Sequence, residues 1–220
     1  MACLKRNPLR RELNELNNVP LGPYIDLAGN IIIESVGSKG MSAFSHGLIA
    51  AGDESTGMYG YRDITGAWAI APKYTASGEF SEGLAAVDLT VGKAELTGFI
   101  DTSGKEVLPF KYLTTLSAFQ CGLAVACEKR KRDHFFGAID RSGDWVIEPT
   151  LRFLGSFFEG LGRFAKTGDK IGFMDTEGNV VIKERFLTVL REFTHGVAWV
   201  RDEQGDLYIN KAGECIWRKK

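Results

Sequence analysis

Five side chains that could ligate a metal recur at one position of the sequence, each immediately before a glycine. They follow one another at nearly even spacing and are His46, Glu82, Cys121, Glu159 and His195. Imidazole, thiolate and carboxylate groups are the ligands that zinc and related metals take in proteins. If neighbouring segments stack, these side chains approach in pairs, which makes a metal-dependent enzyme one hypothesis.

A turn position that tolerates polar side chains explains the same column without any chemistry. The sequence contains no His-Glu-x-x-His pattern, no phosphate-binding glycine loop and no nucleophile motif. Its 26 glycines are accounted for by repeated turns and corners. We therefore predict a protein that is not an enzyme and that holds neither a metal nor a cofactor.

The most polar stretch of the chain carries four consecutive cations and a nearby histidine: Lys129, Arg130, Lys131, Arg132 and His134. Such a cluster suits contact with an acidic protein surface, whereas a solvated loop is the simpler interpretation. The 27 Lys and Arg residues are balanced by 28 Asp and Glu, so the molecule has no overall basic field. Nucleic acid is therefore not the expected partner.

The elements that must position these residues form a tandem repeat. One block, Gly-x-x-Asp-x-x-Gly or a close variant, occurs six times, with its last glycine at positions 29, 66, 104, 143, 178 and 213. Asp at the first position of a type I turn and Gly at the fourth are typical of a bulged β-hairpin. We therefore interpret the repeated aspartates as turn residues rather than acidic catalysts: Asp26, Asp63, Asp101, Asp140 and Asp175.

A second block, Phe-x-x-Gly followed by Leu or Val, begins at a nearly constant distance after each of the first five turn glycines. Apolar and β-branched segments follow both blocks, and Pro72, Pro109 and Pro149 are predicted to stop three of them. Each unit is therefore predicted to contain three short antiparallel strands in a meander, with the Phe-x-x-Gly block as a corner.

The repeat array is predicted to cover residues 21–220, with units near 23–58, 59–96, 97–135, 136–170 and 171–205 and a terminal hairpin at 206–220. The connection that enters each new unit varies most in length, which is typical of exposed hairpin tips. Because six hairpins accompany only five corners, the count favours an all-β, open, twisted or superhelical array. A β-propeller is the alternative.

The N-terminal segment, residues 1–20, has a different pattern. Asn7 and Pro8 are typical of a helix start, and Leu9, Leu13 and Leu16 follow at helical spacing. We expect this segment to form a short helical cap over the exposed edge of the first repeat. No apolar run suits a membrane span or an export signal, so we expect a cytoplasmic protein with free thiols and no membrane contact.

These motifs resemble the WG-repeat family, which is widespread in bacteria. Its unit reads approximately Phe-x-x-Gly-Leu-Ala-x-Val, a hairpin tip, Trp-Gly-Tyr-Ile-Asp, x-x-Gly, and an apolar strand that ends near Pro. The resemblance extends from Pro23 onward and departs at the family's Trp, where Tyr59, Thr97, Phe136 and Ile171 stand. It implies a β-repeat interaction module and supplies no catalytic residues.

Three functions are compatible with this pattern. The first is a protein-binding module with a curved surface and variable tips, for example a cytoplasmic inhibitor or immunity protein that neutralises a toxin. The second is a binder of glycans or cell-wall fragments through exposed tryptophans, although core packing is the simpler role for Trp68, Trp145, Trp199 and Trp217. The third is the metal-dependent enzyme at the polar column. We expect the first, with a protein partner that contacts the basic stretch at 129–134.

Overall fold

The computed structural model describes residues 24–25, 30–33, 43–112 and 117–219. These residues form strands, bridges, turns and bends, and none of them lies in a helix. Consequently no helix able to cross a membrane is found within these ranges. The helix expected at residues 1–20 lies outside the described residues.

The strands form six small antiparallel sheets, numbered in chain order, and strands adjacent in sequence are neighbours in every sheet. Sheet 1 contains β1 (Tyr24–Ile25) and β2 (Ile31–Ile33), and sheet 2 contains β3 (Leu48–Gly52), β4 (Tyr59–Asp63) and β5 (Trp68–Tyr74). Sheet 3 contains β6 (Ala76–Ser77), β7 (Leu84–Val91), β8 (Ala94–Asp101) and β9 (Glu106–Tyr112). Sheet 4 contains β10 (Ala124–Arg130), β11 (Asp133–Ile139) and β12 (Trp145–Leu151). Sheet 5 contains β13 (Phe153–Phe158), β14 (Leu161–Ala165), β15 (Ile171–Asp175) and β16 (Val180–Phe186). Sheet 6 contains β17 (Thr188–Thr194), β18 (Val197–Asp202), β19 (Gly205–Asn210) and β20 (Cys215–Arg218).

Sheets 2 and 4 contain three strands, as predicted, whereas sheets 3, 5 and 6 contain a fourth. The additional strand precedes the Phe-x-x-Gly turn and is β6 in sheet 3, β13 in sheet 5 and β17 in sheet 6. In sheets 2 and 4 an isolated bridge holds the same place, Ser45 with Leu48 and Gln120 with Leu123. The segment set apart as a terminal hairpin contains β19 and β20, which are the third and fourth strands of sheet 6.

The Phe-x-x-Gly block is a two-residue hairpin turn between the first and second strands. In sheet 3, Glu82 has a φ of 54° and Gly83 a φ of 83°. Ser81 and Leu84, on either side of them, exchange backbone hydrogen bonds of 2.9 and 3.1 Å. Two successive residues with positive φ are typical of a type I′ turn, which favours Asn or Asp at its first central position. The turn, and with it the first strand, is not recognisable from the sequence, because His, Glu or Cys occupies the first central position instead of Asn or Asp.

Within the described residues, the predicted Asp-x-x-Gly turns between the third and fourth strands are confirmed, whereas Asp26 lies outside these residues. In sheet 5, the N–H of Gly178 donates to the carbonyl of Asp175 at 3.2 Å, and Gly178 has a φ of 87°. The Asp175 carboxylate accepts the N–H groups of Glu177 and Asn179 at 3.0 and 2.8 Å. In the other described turns that begin with Asp, hydrogen bonds to the carboxylate lower the pKa of Asp63, Asp101 and Asp140. In each turn the largest effect comes from the hydrogen bond that a neighbouring hydroxyl group donates.

The fourth strand continues past the prolines, which the sequence pattern wrongly predicts to be strand ends. β5, β9 and β12 run through Pro72, Pro109 and Pro149, and the pairing register shifts beside each proline. A proline is tolerated because this strand lies at the sheet edge and its missing N–H removes no ladder bond. The shift brings the backbone close to the third strand, where a Cβ at Gly98 would lie 2.9 Å from Leu108 O. Only glycine fits there, which explains the first glycine of the repeated block.

The hydrophobic core consists of five clusters, and each lies between two consecutive sheets. Between sheets 5 and 6, for example, the rings of Phe173 and Phe193 meet edge to face with centroids 5.0 Å apart. The turn glycine of one sheet packs on an aliphatic side chain of the preceding sheet, so that a Cβ at Gly178 would lie 3.3 Å from Ile147 Cγ1. Among the described residues, each cluster thus joins one sheet to the next sheet along the chain.

Replacement of Asp175 by Ala is expected to lower the free energy of unfolding by about 1 kcal/mol, because two backbone N–H groups lose their acceptor. Asp175→Asn is the matched control and should cost much less, since Asn210 accepts the equivalent N–H groups in sheet 6. Urea unfolding followed by tryptophan fluorescence measures both variants. Equal losses would show that the side-chain oxygen does not stabilise the turn.

Candidate functional site

The polar column occupies the first central position of the type I′ turns. All five of its residues have a φ between 52° and 55°: His46, Glu82, Cys121, Glu159 and His195. The left-handed region is uncommon for residues other than Gly, Asn and Asp, so this shared conformation is imposed by the turn. The common position of these five residues is therefore determined by the backbone conformation of the turn.

Hydrogen bonds join the turns of consecutive sheets along this end of the array. Ser45 Oγ donates to Phe80 O, and Ser81 Oγ donates to Phe119 O, both at 2.6 Å. In both cases a serine hydroxyl in the turn of one sheet donates to the backbone carbonyl of the phenylalanine that begins the Phe-x-x-Gly block of the next sheet. These contacts set the spacing of neighbouring sheets at this end.

Two glutamates of the polar column also bind the backbone of the next turn. Glu82 accepts the N–H of Gly122 at 3.0 Å, and the two oxygens of Glu159 accept the N–H groups of His195 and Gly196 at 2.6 and 2.9 Å. Burial raises the pKa of Glu159, but these hydrogen bonds and the ammonium of Lys211 outweigh it and hold the pKa below its usual value.

Stacking does bring successive members of the column to neighbouring turns, as the metal hypothesis required. However, the glutamate oxygens accept amide hydrogens there and are engaged by the backbone rather than directed at a shared ligand. Across the described residues, no group of three or more His, Cys, Asp and Glu side chains has the arrangement of a metal site.

The basic stretch lies at the opposite end of the sheets, where the second strand turns into the third. Lys129 and Arg130 end β10, Lys131 and Arg132 form the turn, and His134 follows at the start of β11. All five side chains are exposed, and Lys131 has a φ of 59°. β10 and β11 are seven residues long, against five for the equivalent strands of sheets 2 and 5. The hairpin therefore extends beyond the equivalent tips of sheets 2 and 5, whereas β7 and β8 of sheet 3, with eight residues each, form a longer one.

One face of this basic hairpin is neutralised by its own contacts. Arg130 forms an ion pair with Glu128 at 2.7 Å, and its guanidinium lies 5.5 Å from the ring centroid of Phe135. Arg152 lies 4.8 Å from the same centroid and binds Asp133 at 3.1 Å. Two arginines thus clamp one aromatic ring, which stiffens the hairpin without leaving free charge on this face.

The other face and the tip carry the unpaired charge. Lys129 is in register with His134, and Glu128 with Phe135, so the alternation of side chains places Lys129 and His134 on the opposite face. Within the described residues no ion pair involves Lys129, Lys131 or Arg132. The predicted site residues are thus brought together on one hairpin, although Arg130 is used internally.

A second surface, not singled out from the sequence, lies at the end of the array. The rings of Trp199, Tyr208 and Trp217 lie side by side on β18, β19 and β20, with neighbouring centroids 5.8 Å apart. We call these three residues the terminal aromatic face. The repeat alignment could have located it, because Trp217 stands four residues after its turn glycine, where Ile182 stands in sheet 5.

An ion pair fixes the strand that carries Trp217. Nη1 and Nη2 of Arg218 donate to the two carboxylate oxygens of Asp202, each at 2.7 Å. These hydrogen bonds lower the pKa of Asp202 from 3.8 to about 2. The end of β20 is thereby attached to the tip of the β18–β19 hairpin.

The fold and its turns define a tandem β-sheet repeat protein. The chain belongs to the family described as WG containing repeat, whose model matches residues 59–89, 98–131, 136–170 and 171–206. This confirms the resemblance, and WG repeats suggest a β-repeat binding module. No curated protein matches the chain.

Solved structures similar to this chain share little sequence with it. BamB from Moraxella catarrhalis is 15% identical, with a TM-score of 0.47 over 79% of this chain and 58% of that chain. TolB from Acinetobacter baumannii is 12% identical, with a TM-score of 0.40 over 77% of this chain and 50% of that chain. HIRA(644-1017) is 13% identical, with a TM-score of 0.38 over 64% of this chain and 51% of that chain. This chain thus spans between 50% and 58% of the length of these structures.

Replacement of Glu159 by Ala is expected to lower the free energy of unfolding by about 1 to 2 kcal/mol, because the N–H groups of His195 and Gly196 lose their acceptors. Glu159→Gln is the control, since it keeps one acceptor oxygen and the same left-handed backbone. The Gln variant should lose less than half of the free energy of unfolding that the Ala variant loses. Chemical unfolding of the three proteins compares them, and a Gln variant as unstable as the Ala variant would contradict this assignment.

Stability should fall in acid through the pair of Asp202 and Arg218. The pKa of Asp202 is lowered in the folded state, so its contribution is complete above pH 3.8 and is lost as the pH falls towards 2. For this partly exposed pair we expect about 1 kcal/mol. Unfolding of the wild type and Asp202→Asn at several pH values isolates this effect, because their difference should shrink between pH 5 and pH 2. A difference that is independent of pH would exclude it.

Proposed function

We propose that this chain is a non-enzymatic protein-binding module and that the basic hairpin, β10–β11 with its turn, binds an acidic surface of the partner. The observation that carries the proposal is that some cations of this hairpin form ion pairs within the protein and others do not. Arg130 and Arg152 are neutralised by contacts within the protein, whereas Lys129, Lys131 and Arg132 are exposed without an ion pair among the described residues. Cations left without an ion pair on an ordered, exposed hairpin favour recognition of an opposite charge.

Rigidity of the hairpin supports the proposal. Seven consecutive residue pairs hold β10 against β11, and the two arginines clamp the ring of Phe135. A binding element that is ordered before contact loses less conformational entropy on association than a flexible loop does. The hairpin therefore suits a specific contact better than a mobile basic tail would.

The position of the hairpin separates binding from folding. The carboxylates of the Asp-x-x-Gly turns and of the polar column bind backbone N–H groups at one end of the sheets. The tips at the other end vary in length and sequence without disturbing those contacts. Variable segments on a fixed scaffold are where repeat proteins place their binding specificity.

The concrete form of this function is a cytoplasmic inhibitor or immunity protein that covers the acidic surface of a toxin or enzyme. A narrow basic hairpin can enter a cleft lined by carboxylates, where its charge is less screened than on a flat surface. Coexpression with toxins encoded next to this gene tests this form. Survival of a sensitive host supports it, and loss of viability with each of these toxins argues against it.

Charge reversal at the hairpin tip should remove partner binding. Lys131→Glu with Arg132→Glu is expected to weaken the affinity for a protein captured by the wild type at least tenfold, and to weaken its dependence on salt. Lys105→Glu with Arg141→Glu is the matched control, because it makes the same change in charge at exposed residues of two Asp-x-x-Gly turns. Calorimetry at two salt concentrations measures the three proteins.

The control must bind as tightly as the wild type. Equal weakening in both double variants would show that only net charge matters. Unchanged affinity in the hairpin variant would show that the tip is merely solvated.

A further inference from the structure

The hairpins of sheets 3 and 4 extend equally far from their Phe-x-x-Gly turns. In each of them the second strand ends eight residues after the turn glycine, at Val91 after Gly83 and at Arg130 after Gly122. β7 is longer than β10 only at its base, because Leu123 of sheet 4 forms an isolated bridge and is not counted in β10. In sheets 2, 5 and 6 the second strand ends five or six residues after that glycine. The two longest hairpins therefore belong to consecutive sheets.

A shared core cluster holds these two hairpins next to each other. Leu84 and Phe99 of sheet 3 pack in this cluster with Ala124, Ala126 and Ile139 of sheet 4. Sheets that pack face to face lie about 10 Å apart. A partner surface that reaches the tip of one hairpin is therefore close to the tip of the other.

Sheet 3 contributes an unpaired cation at its tip. The two-residue turn consists of Gly92 and Lys93 in sheet 3 and of Lys131 and Arg132 in sheet 4. Lys93 thus occupies the position that Arg132 has in the next sheet. It is exposed, and it forms no ion pair within the part of the chain that the structure describes. We call Lys93, Lys131 and Arg132 together the basic crest.

The acidic side chains near Lys93 are bound by hydroxyl groups. Glu95 accepts the hydroxyl of Thr75 at 2.8 Å, and Asp88 accepts the hydroxyl of Thr97 at 2.6 Å. Both acids lie on the strands of the hairpin, whereas Lys93 lies in the turn. Lys93 is therefore the outermost charge of the sheet 3 hairpin.

The sides of the two hairpins that face each other carry opposite charges. Ala124 and Ala126 belong to the cluster shared with sheet 3, so the alternation of side chains along β10 turns Glu128 and Arg130 towards sheet 3 as well. By the same alternation, Glu95 of sheet 3 faces sheet 4. The acids between the hairpins are thus opposed by arginine, and the cations of the basic crest remain available to a partner.

The tips on either side of this pair do not continue the basic crest. The sheet 2 tip carries Asp53 and Glu54, so its charge is opposite. The sheet 5 tip carries Lys166 and Asp169, which are both exposed, and Lys170, which forms an ion pair with sheet 6 at 2.7 Å. An acidic surface that fits the basic crest is therefore about as wide as two sheets, and a shift towards sheet 2 would bring like charges together.

We propose that the partner contacts the whole basic crest rather than the sheet 4 hairpin alone, and that it presents carboxylates about 10 Å apart, which reach both tips. This inference rests on the proposed function and adds Lys93 to the binding surface. Contacts with two adjacent tips fix the position of the partner along the array, because the acidic tip of sheet 2 repels the same carboxylates.

Binding of a fluorescein-labelled peptide of ten glutamates to the full chain tests this surface. In an extended conformation the peptide is about 33 Å long, so it can span both tips. Lys93→Glu is expected to weaken binding at least fivefold, measured by fluorescence anisotropy at low ionic strength. Lys166→Glu is the matched control, because it makes the same change in charge at the sheet 5 tip, and it should weaken binding less than twofold.

Amide chemical shifts locate the contact without any substitution. Addition of the same peptide to the isotope-labelled wild type should move the signals of Lys93 and Arg132 together. The signal of Gly168, at the sheet 5 tip, should stay in place. Changes confined to the sheet 4 tip would contradict a site that spans two hairpins.

The double variant Lys131→Glu with Arg132→Glu separates this inference from the proposed function. If that variant loses the peptide while Lys93→Glu binds as Lys166→Glu does, the sheet 4 hairpin binds alone and the role of Lys93 is overturned. Equal weakening by Lys93→Glu and Lys166→Glu would show that only net charge matters, which also overturns it. A wild type that does not bind the peptide would contradict the proposed function and this inference with it.

Discussion

The contact on which this architecture depends is small: the turn glycine of one sheet rests against an aliphatic side chain on the fourth strand of the preceding sheet. Gly104, Gly143, Gly178 and Gly213 make this contact with Ile70, Leu108, Ile147 and Ile182. A glycine serves two purposes there, because the turn needs a positive φ and a Cβ would lie only 3.0 to 3.3 Å from the neighbouring side chain. The repeat distance in the sequence is therefore the chain length between one such contact and the next.

Much of the fold was accessible from the sequence because its turns use residues with strong local preferences. Asp followed by Gly three positions later predicts a turn and fixes the phase of every unit. The first strand was not accessible, since the turn that ends it carries Glu, His or Cys in a conformation those residues rarely adopt. The prolines led to the wrong strand ends because a proline interrupts a central strand but is tolerated in an edge strand. Pro72, Pro109 and Pro149 lie in edge strands, and a strand's place in the sheet is known only once the sheet is assembled.

The candidate sites show the same limit. The charges of residues 129–132 are evident in the sequence, but which of them remain free depends on Phe135, Glu128 and Arg152, and Arg152 reaches the ring of Phe135 from beyond the end of β12. Composition can identify a basic segment, but it cannot tell a neutralised arginine from an available one. Likewise, a tryptophan at a core register is expected to be buried, and Trp217 is exposed because no sheet among the described residues covers it.

The placement of the core clusters between consecutive sheets has a mechanical consequence. Each core cluster of the described residues joins two consecutive sheets, so cooperativity is expected to pass from sheet to sheet as in a one-dimensional Ising chain. A defect in sheet 4 would disturb the core clusters that this sheet shares with both sheet 3 and sheet 5. The hairpin that we assign to binding belongs to sheet 4. A force that a bound partner exerts on this hairpin is therefore transmitted to both neighbouring sheets, 3 and 5.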